Sequence, residues 1–173
     1  MLLYNKAHDP YHTLFRLLNI IINHGGENIE HDRLRIYDFL VAFPVHISKM
    51  SLKRELQKQK TPFKRFASAY NIFDPYFLFE SMRPIQDAVI GNLLKTEILQ
   101  QDANNLSYVI HKESFTKELL ELTVNIENSS MLEVVDFINV ALAEYELFGP
   151  DGLKSASHLM EFRYDAIQAN TQN

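Results

Sequence analysis

Leu14, Leu17, Leu18, Ile21 and Ile22 recur at the spacing of one helical face, entered through Asp9-Pro10 and left at His24-Gly25-Gly26. Aspartate is a favoured N-cap and proline loses no needed N–H at the first helical position, so this helix opens at residue 10. The pattern predicts a second helix over about 31–43, with Leu34, Tyr37, Leu40 and Val41 on one side and Pro44 ending it. A third, polar and basic helix is predicted over about 48–59, where Met50, Leu52 and Leu56 would bury little. Thr61-Pro62 breaks that pattern, and an aromatic-rich connector leads to Asp74-Pro75, which predicts another cap and a short helix. A separate helix over 84–95 would bury Ile85, Ala88, Val89 and Leu93. Residues 97–101 and 106–111 flank Asp102-Ala103-Asn104-Asn105 and read as a hairpin. The remainder is mostly helical: 114 to about 126, then a helix capped by Ser129/Ser130 and running to 146. The turn Gly149-Pro150-Asp151-Gly152 and a last short helical segment follow, and the final "QANTQN" reads as frayed.

The expected fold class is therefore mainly α with a small β-hairpin. Helices followed by a helix and a hairpin is the order of a winged-helix unit, here over residues 1–111. The 84–95 helix takes the recognition position and the hairpin the wing. A helical C-terminal region, 112–173, is expected to pack on it.

Composition narrows the setting. Hydrophobic residues form 46% of 173, with twelve phenylalanines and eight tyrosines, which is ample for a core. The absence of cysteine excludes disulfides and thiolate metal sites. No apolar run approaches the roughly 20 residues that span a bilayer, and the first residues lack a signal-peptide layout. A soluble cytoplasmic protein without membrane partners is expected.

The net charge of −5 is unevenly spread. Residues 1–96 hold 13 Lys/Arg against 9 Asp/Glu, a net of +4, and residues 97–173 hold 4 against 13, a net of −9. The stretch "KMSLKRELQKQKTPFKR" carries seven bases, Lys49, Lys53, Arg54, Lys58, Lys60, Lys64 and Arg65, and one acid. These seven are the candidate DNA contacts, with Phe63, Phe66 and Tyr70 nearby as stacking surface. The competing reading is a solvated face beside core aromatics, and the acidic C-terminal half disfavours tight autonomous DNA binding.

His8, Asp9 and His12 invite a metal or acid–base reading. However, the helix starts between the two histidines, and a capping Asp9 would spend its carboxylate on backbone N–H groups, so the capped helix start is the stronger reading. His31-Asp32 and His158-x-x-Glu161 are weaker still, and no nucleotide-binding, hydrolase-elbow or zincin motif occurs. No catalytic residue, metal site or cofactor is expected. In "MLEVVDFINVAL", apolar side chains occupy nearly every helical angle, so this segment is either central to the core or covered by a partner. Tyr76, Phe77, Phe79, Leu132, Val135, Phe137 and Ile138 are the candidate partner interface.

Three stretches, "YNKAHDPYHTLFRLLNII", "IEHDRLRIYDFLVAFP" and "FESMRPIQDAVIGNLL", taken in this order and spacing, resemble the middle components of bacterial three-component ABC-ATPase conflict systems. Lamassu-type defence operons belong to that group. The resemblance covers about the first 100 residues and leaves the C-terminal half without a signature. It implies a non-enzymatic accessory subunit that docks on an SMC-like ABC ATPase and helps couple sensing of foreign DNA, reached through the complex, to a nuclease or other effector. The pattern positions are Asn5, Asp9, Pro10, His12, Arg33, Arg35, Asp38, Pro84 and Gln86, and the resemblance assigns none of them a catalytic role. The family pattern is more often acidic at Arg83, which implies a different partner contact there. The alternatives are an autonomous winged-helix DNA-binding regulator and, more distantly, a metal-dependent hydrolase on His8, Asp9 and His12.

Overall fold

Asp9 caps the first long helix as its position predicts: its carboxylate accepts from the His12 N–H at 2.9 Å, and Pro10 opens α1 (Pro10–Asn23). A one-turn 3-10 helix, Lys6–His8, precedes it, held by Asn5, whose side chain accepts from the Ala7 N–H. The computed structural model describes residues 5–68, 73–123 and 129–160. Tyr4, Tyr70, Glu161, the end of the helix predicted to reach 126 and the C-terminal "QANTQN" lie outside them.

Helix α2 (His31–Ala42) follows a short strand, β1 (Asn28–Glu30), that the alternation of so few residues could not signal. Its expected one-sidedness is corrected: every residue from Arg33 to Val41 is buried. Arg33, Arg35 and Asp38 sit inside because each finds partners there, so α2 is the central element of the core despite its polar composition.

The helix expected over 48–59 is instead a strap of short turns: 3-10 turns at Pro44–Lys49 and Arg54–Leu56, the single turn α3 (Gln57–Lys60), and a 3-10 turn at Thr61–Phe66. Met50 and Leu52 are drawn into the core at a two-residue spacing that no helix face provides. The Ser51 N–H meanwhile bonds the Ala156 carbonyl at 2.9 Å.

Asp74-Pro75 starts a helix as expected, with the Asp74 carboxylate accepting from the N–H groups of Tyr76 and Phe77. The expected break at Pro84 is absent, and α4 (Pro75–Lys95) is one helix of 21 residues. Phe79, Met82, Gln86, Val89, Ile90 and Leu93 form one buried stripe across the proline, and packing outweighs the missing hydrogen bond. Ile85 is only half-buried and Ala88 is exposed.

The predicted hairpin is present as β2 (Leu99–Gln101) and β3 (Ser107–Ile110). It belongs to a three-stranded antiparallel sheet in the order β1-β3-β2, with Ile29 opposite Tyr108 and Leu99 opposite Ile110. After a 3-10 turn at Lys112–Ser114 come α5 (Lys117–Thr123) and α6 (Ser129–Ala141), which pack on α1, α6 also on α2. Helix α6 stops short of the predicted 146 because Leu142, Tyr145 and Leu147 turn into the core from a loop. Gly149 takes φ +89° in the turn that follows, and α7 (Leu153–Ser157) ends the described chain's helices. The architecture is mainly helical with one small antiparallel sheet. No described helix is long and apolar enough to cross a membrane.

Candidate functional site

Three of the pattern residues, Arg35, Asp38 and Gln86, converge on one buried polar frame that ties α1, α2 and α4 together. Asp38 is fully buried and accepts from Arg16 Nε at 2.7 Å and from Gln86 Nε2 at 2.9 Å. The Arg16 guanidinium also donates to the Lys6 carbonyl at 3.1 Å and the Thr13 hydroxyl at 3.0 Å, which fixes the N-terminal turn on α1. Gln86 Oε1 accepts from Arg35 Nε at 3.0 Å, and the Arg35 guanidinium lies 4.4 Å from the Phe79 ring centroid. Arg35 thereby reaches Glu80, which Arg83 clamps from outside at 3.0 Å.

Arg33 makes a second tie. It donates to both Glu30 oxygens, to the Tyr37 hydroxyl, and to the carbonyls of Leu142 and Tyr145. One side chain thus joins β1, α2 and the loop after α6. Its pairing with Glu30 and Tyr37 holds the guanidinium above its ordinary pKa against desolvation, and draws the Glu30 carboxyl down. A guanidinium satisfied on all sides in this way orients elements and leaves no reacting group exposed.

Arg16 and Glu80 carry this frame but escape pattern reasoning. Arg16 sits in a run of large apolar residues, which is the one sign that its charge has an internal partner.

The histidines are scattered. His8 contacts the Ser81 hydroxyl at 2.8 Å, and burial together with the Arg16 charge lowers its pKa. His12 lines a different feature, an open cavity of about 550 Å³ floored by Phe43, Val45, Phe66 and Met131. Asp9 is spent on the cap. His31 lies 2.6 Å from the Tyr108 hydroxyl and 3.7 Å from Asp87, while Asp32 pairs with Lys154 at 2.9 Å. Burial lowers the His31 pKa against the pull of Asp32 and Asp87. His158 meets the Ser51 hydroxyl at 2.8 Å. Among the described residues no three His, Asp or Glu converge closely enough to hold a metal ion.

The basic residues divide. Lys60 donates to the Met50 carbonyl at 2.7 Å, and Arg65 pairs with Glu133 and lies over the Phe66 ring. Lys49, Lys53, Arg54, Lys58 and Lys64 are exposed, Lys53 with its ammonium 4.9 Å from the Tyr145 ring centroid. Among the interface candidates, Phe79, Val135 and Ile138 are fully buried within this chain's own core. Leu132 and Phe137 are half-buried, Phe137 against the Phe63 ring at 4.9 Å. Tyr76 and Phe77 face solvent at 41% and 71% exposure.

The residues brought together form a helical frame locked by the buried Arg16–Asp38 pair, with aromatic and basic side chains among those exposed around it. The family model for the ABC-three component (ABC-3C) system Middle Component 5 matches residues 2–165, and the chain belongs to that family. It is an accessory component of such a system and not its ATPase, and its partners are the system's other components. No curated protein and no solved structure matches the chain.

Proposed function

We propose that the chain is a non-enzymatic subunit that seats on an SMC-like ABC ATPase of a Lamassu-type system and helps couple sensing of foreign DNA to a nuclease effector. The observation that carries the docking role is the aromatic pair at the start of α4. Tyr76 and Phe77 have ring centroids 5.8 Å apart, project into solvent, and follow Phe73, itself 53% exposed. Large aromatic side chains held on a rigid capped helix are the usual anchors of protein interfaces. The buried ties behind them, through Phe79 and Arg35, keep that helix fixed, so association spends little on ordering.

Co-expression with the ATPase of the same operon tests this reading. The pair should co-purify, and Y76S with F77S should abolish co-purification while leaving the melting temperature within a few degrees of the parent. A chain that ignores the ATPase, or binding indifferent to both substitutions, overturns it.

A second reading, an autonomous winged-helix regulator, is supported by the order helix, strand, helix, helix, strand, strand with a β1-β3-β2 sheet. The helix in its recognition position speaks against it. The outward residues of α4 from Ser81 onward include Arg83, Asp87, Ala88, Asn92 and Lys95, a face of mixed sign whose arginine is clamped to Glu80.

A further inference from the structure

We infer that the strap between α2 and α4 presents a contact surface for the backbone of duplex DNA, independent of the docking face on α4. The strap's apolar side chains point inward: Met50, Leu52 and Phe63 are buried. Its backbone is tied down by Ser51 N–H to the Ala156 carbonyl and by Lys53 N–H to the Tyr145 hydroxyl at 2.7 Å. What remains outside is a set of five cations, Lys49, Lys53, Arg54, Lys58 and Lys64, with Glu55 as the one acid in the stretch. A strap already folded spends little on ordering its backbone when those cations meet a polyanion.

The chemistry of the surface selects the partner. Protein interfaces centre on apolar area, whereas nucleic-acid interfaces are polar and positive. None of the exposed large hydrophobic residues described in the chain falls between residues 49 and 66. Val140 is exposed at the strap's edge, in a concavity with Lys53, Leu56 and Glu144, but a lone aliphatic side chain is a poor anchor for an acidic protein.

Single strands are held by stacking on open rings. Phe63 is buried between Phe66 and Phe137, and Phe66 is half-covered by Arg65, so the strap's described rings offer no platform. Recognition of RNA duplexes leans on 2′-hydroxyl contacts, while point cations suffice for the phosphates of DNA. The helix α4, where a winged-helix reading would seat DNA, has no comparable surplus of positive charge.

Five neutralised phosphates would give log K a slope near about −4.5 against log salt. The full chain is titrated into a fluorescent DNA duplex, followed by anisotropy between about 50 and 200 mM salt. The expected slope lies between about −3 and −5, and the combined R54Q, K58Q and K64Q variant should weaken binding at least about tenfold and flatten the slope by nearly three. Melting of that variant should match the parent, since all three side chains are exposed. The K95Q variant on α4 should bind like the parent. No duplex binding at low salt, or a triple variant with unchanged slope, overturns the inference. Tighter binding to single strands or an RNA duplex does so too, as does displacement by polyglutamate as effective as by unlabelled duplex.

Discussion

The guanidinium of Arg16 on α1 lies 2.7 Å from the carboxylate of Asp38 on α2, and both side chains are buried, Asp38 completely. The same carboxylate accepts from Gln86 on α4, so one aspartate joins the three helices that make the frame. An ion pair this deep adds less than its Coulomb attraction suggests, because both charges lost their hydration, but removing one member strands the other. D38N and R16M should each cost about 3–5 kcal/mol. Urea unfolding checks this, and R16M combined with D38L should recover much of the loss, since no charge is then left unpaired. A double variant as unstable as either single one would mean that the pair is needed for packing geometry and not for charge balance.

Pro84 sits inside α4, where it removes one N–H from the helix ladder and crowds the carbonyl of Glu80. The side chain is exposed, so nothing in the core depends on it. P84A should therefore stabilise the chain by about 1–2 kcal/mol, the restored hydrogen bond outweighing the freer unfolded chain. Thermal melting is the measurement. If P84A melts higher yet no longer associates with the ATPase, the proline is a feature of the interface.

The parts legible in the sequence were those decided by local chemistry. Asp9-Pro10 and Asp74-Pro75 each predict a capped helix start, and each caps as predicted, because the carboxylate and the orphan N–H groups lie within three residues. The Asp102–Asn105 turn predicts its hairpin for the same reason. Helix α2 is legible as a helix, ending where Pro44 predicts, but not as the centre of the core, because Arg33, Arg35 and Asp38 look like a solvated face until Glu30, Gln86 and Arg16 are brought beside them. Pro84 reads as a break until the stripe from Phe79 to Leu93 is seen to be buried on both sides of it. The same limit applies to the frame: its pattern positions are visible along the chain, but Arg16 and Glu80 join it only through contacts made across the fold. Apolar surplus in α6 fits a core helix and a partner-covered one equally well, and Val135 and Ile138 lie in the core.

Three histidines set the expected response to acid. His46 is buried beside Phe39, its Nε2–H donating to the Ser157 carbonyl at 2.7 Å, and desolvation lowers its pKa, with Lys49 and His158 adding to the effect. His31 and His8 are lowered as well, each chiefly by burial. In the unfolded chain these rings take up a proton near the ordinary 6.5, while the folded chain resists it to lower pH. Their contribution is thus fully present above about pH 6.5 and is lost as pH falls toward the lowered folded values. Melting temperature should be level above about pH 7 and decline below about 6.5, and H46Q, which keeps a donor without the titration, should make that decline shallower. An unchanged slope in H46Q would assign the acid response to the other two rings.

Gly149 and Gly152 lie three residues apart in one turn, and the Gly152 N–H donates to the Gly149 carbonyl at 3.1 Å, yet each position disfavours a side chain for a different reason. At Gly149 the backbone has φ +89°, and a methyl group would meet open space, so G149A pays only for the left-handed conformation, about 1–2 kcal/mol. At Gly152 the backbone angle is ordinary, but an added Cβ would overlap the Phe148 carbonyl. That carbonyl cannot withdraw freely. The Leu153 N–H bonds the Glu146 carbonyl at 2.8 Å, and the Tyr145 carbonyl just upstream holds Arg33 at 2.7 Å. Relieving the overlap therefore displaces the loop that locks α6 to α2, and G152A should cost about 3 kcal/mol, the upper end for overpacking. Urea unfolding of the two variants side by side checks the order. Equal costs would mean that the turn yields as a unit, and the Arg33 tie would then be too loose to hold α2 in register.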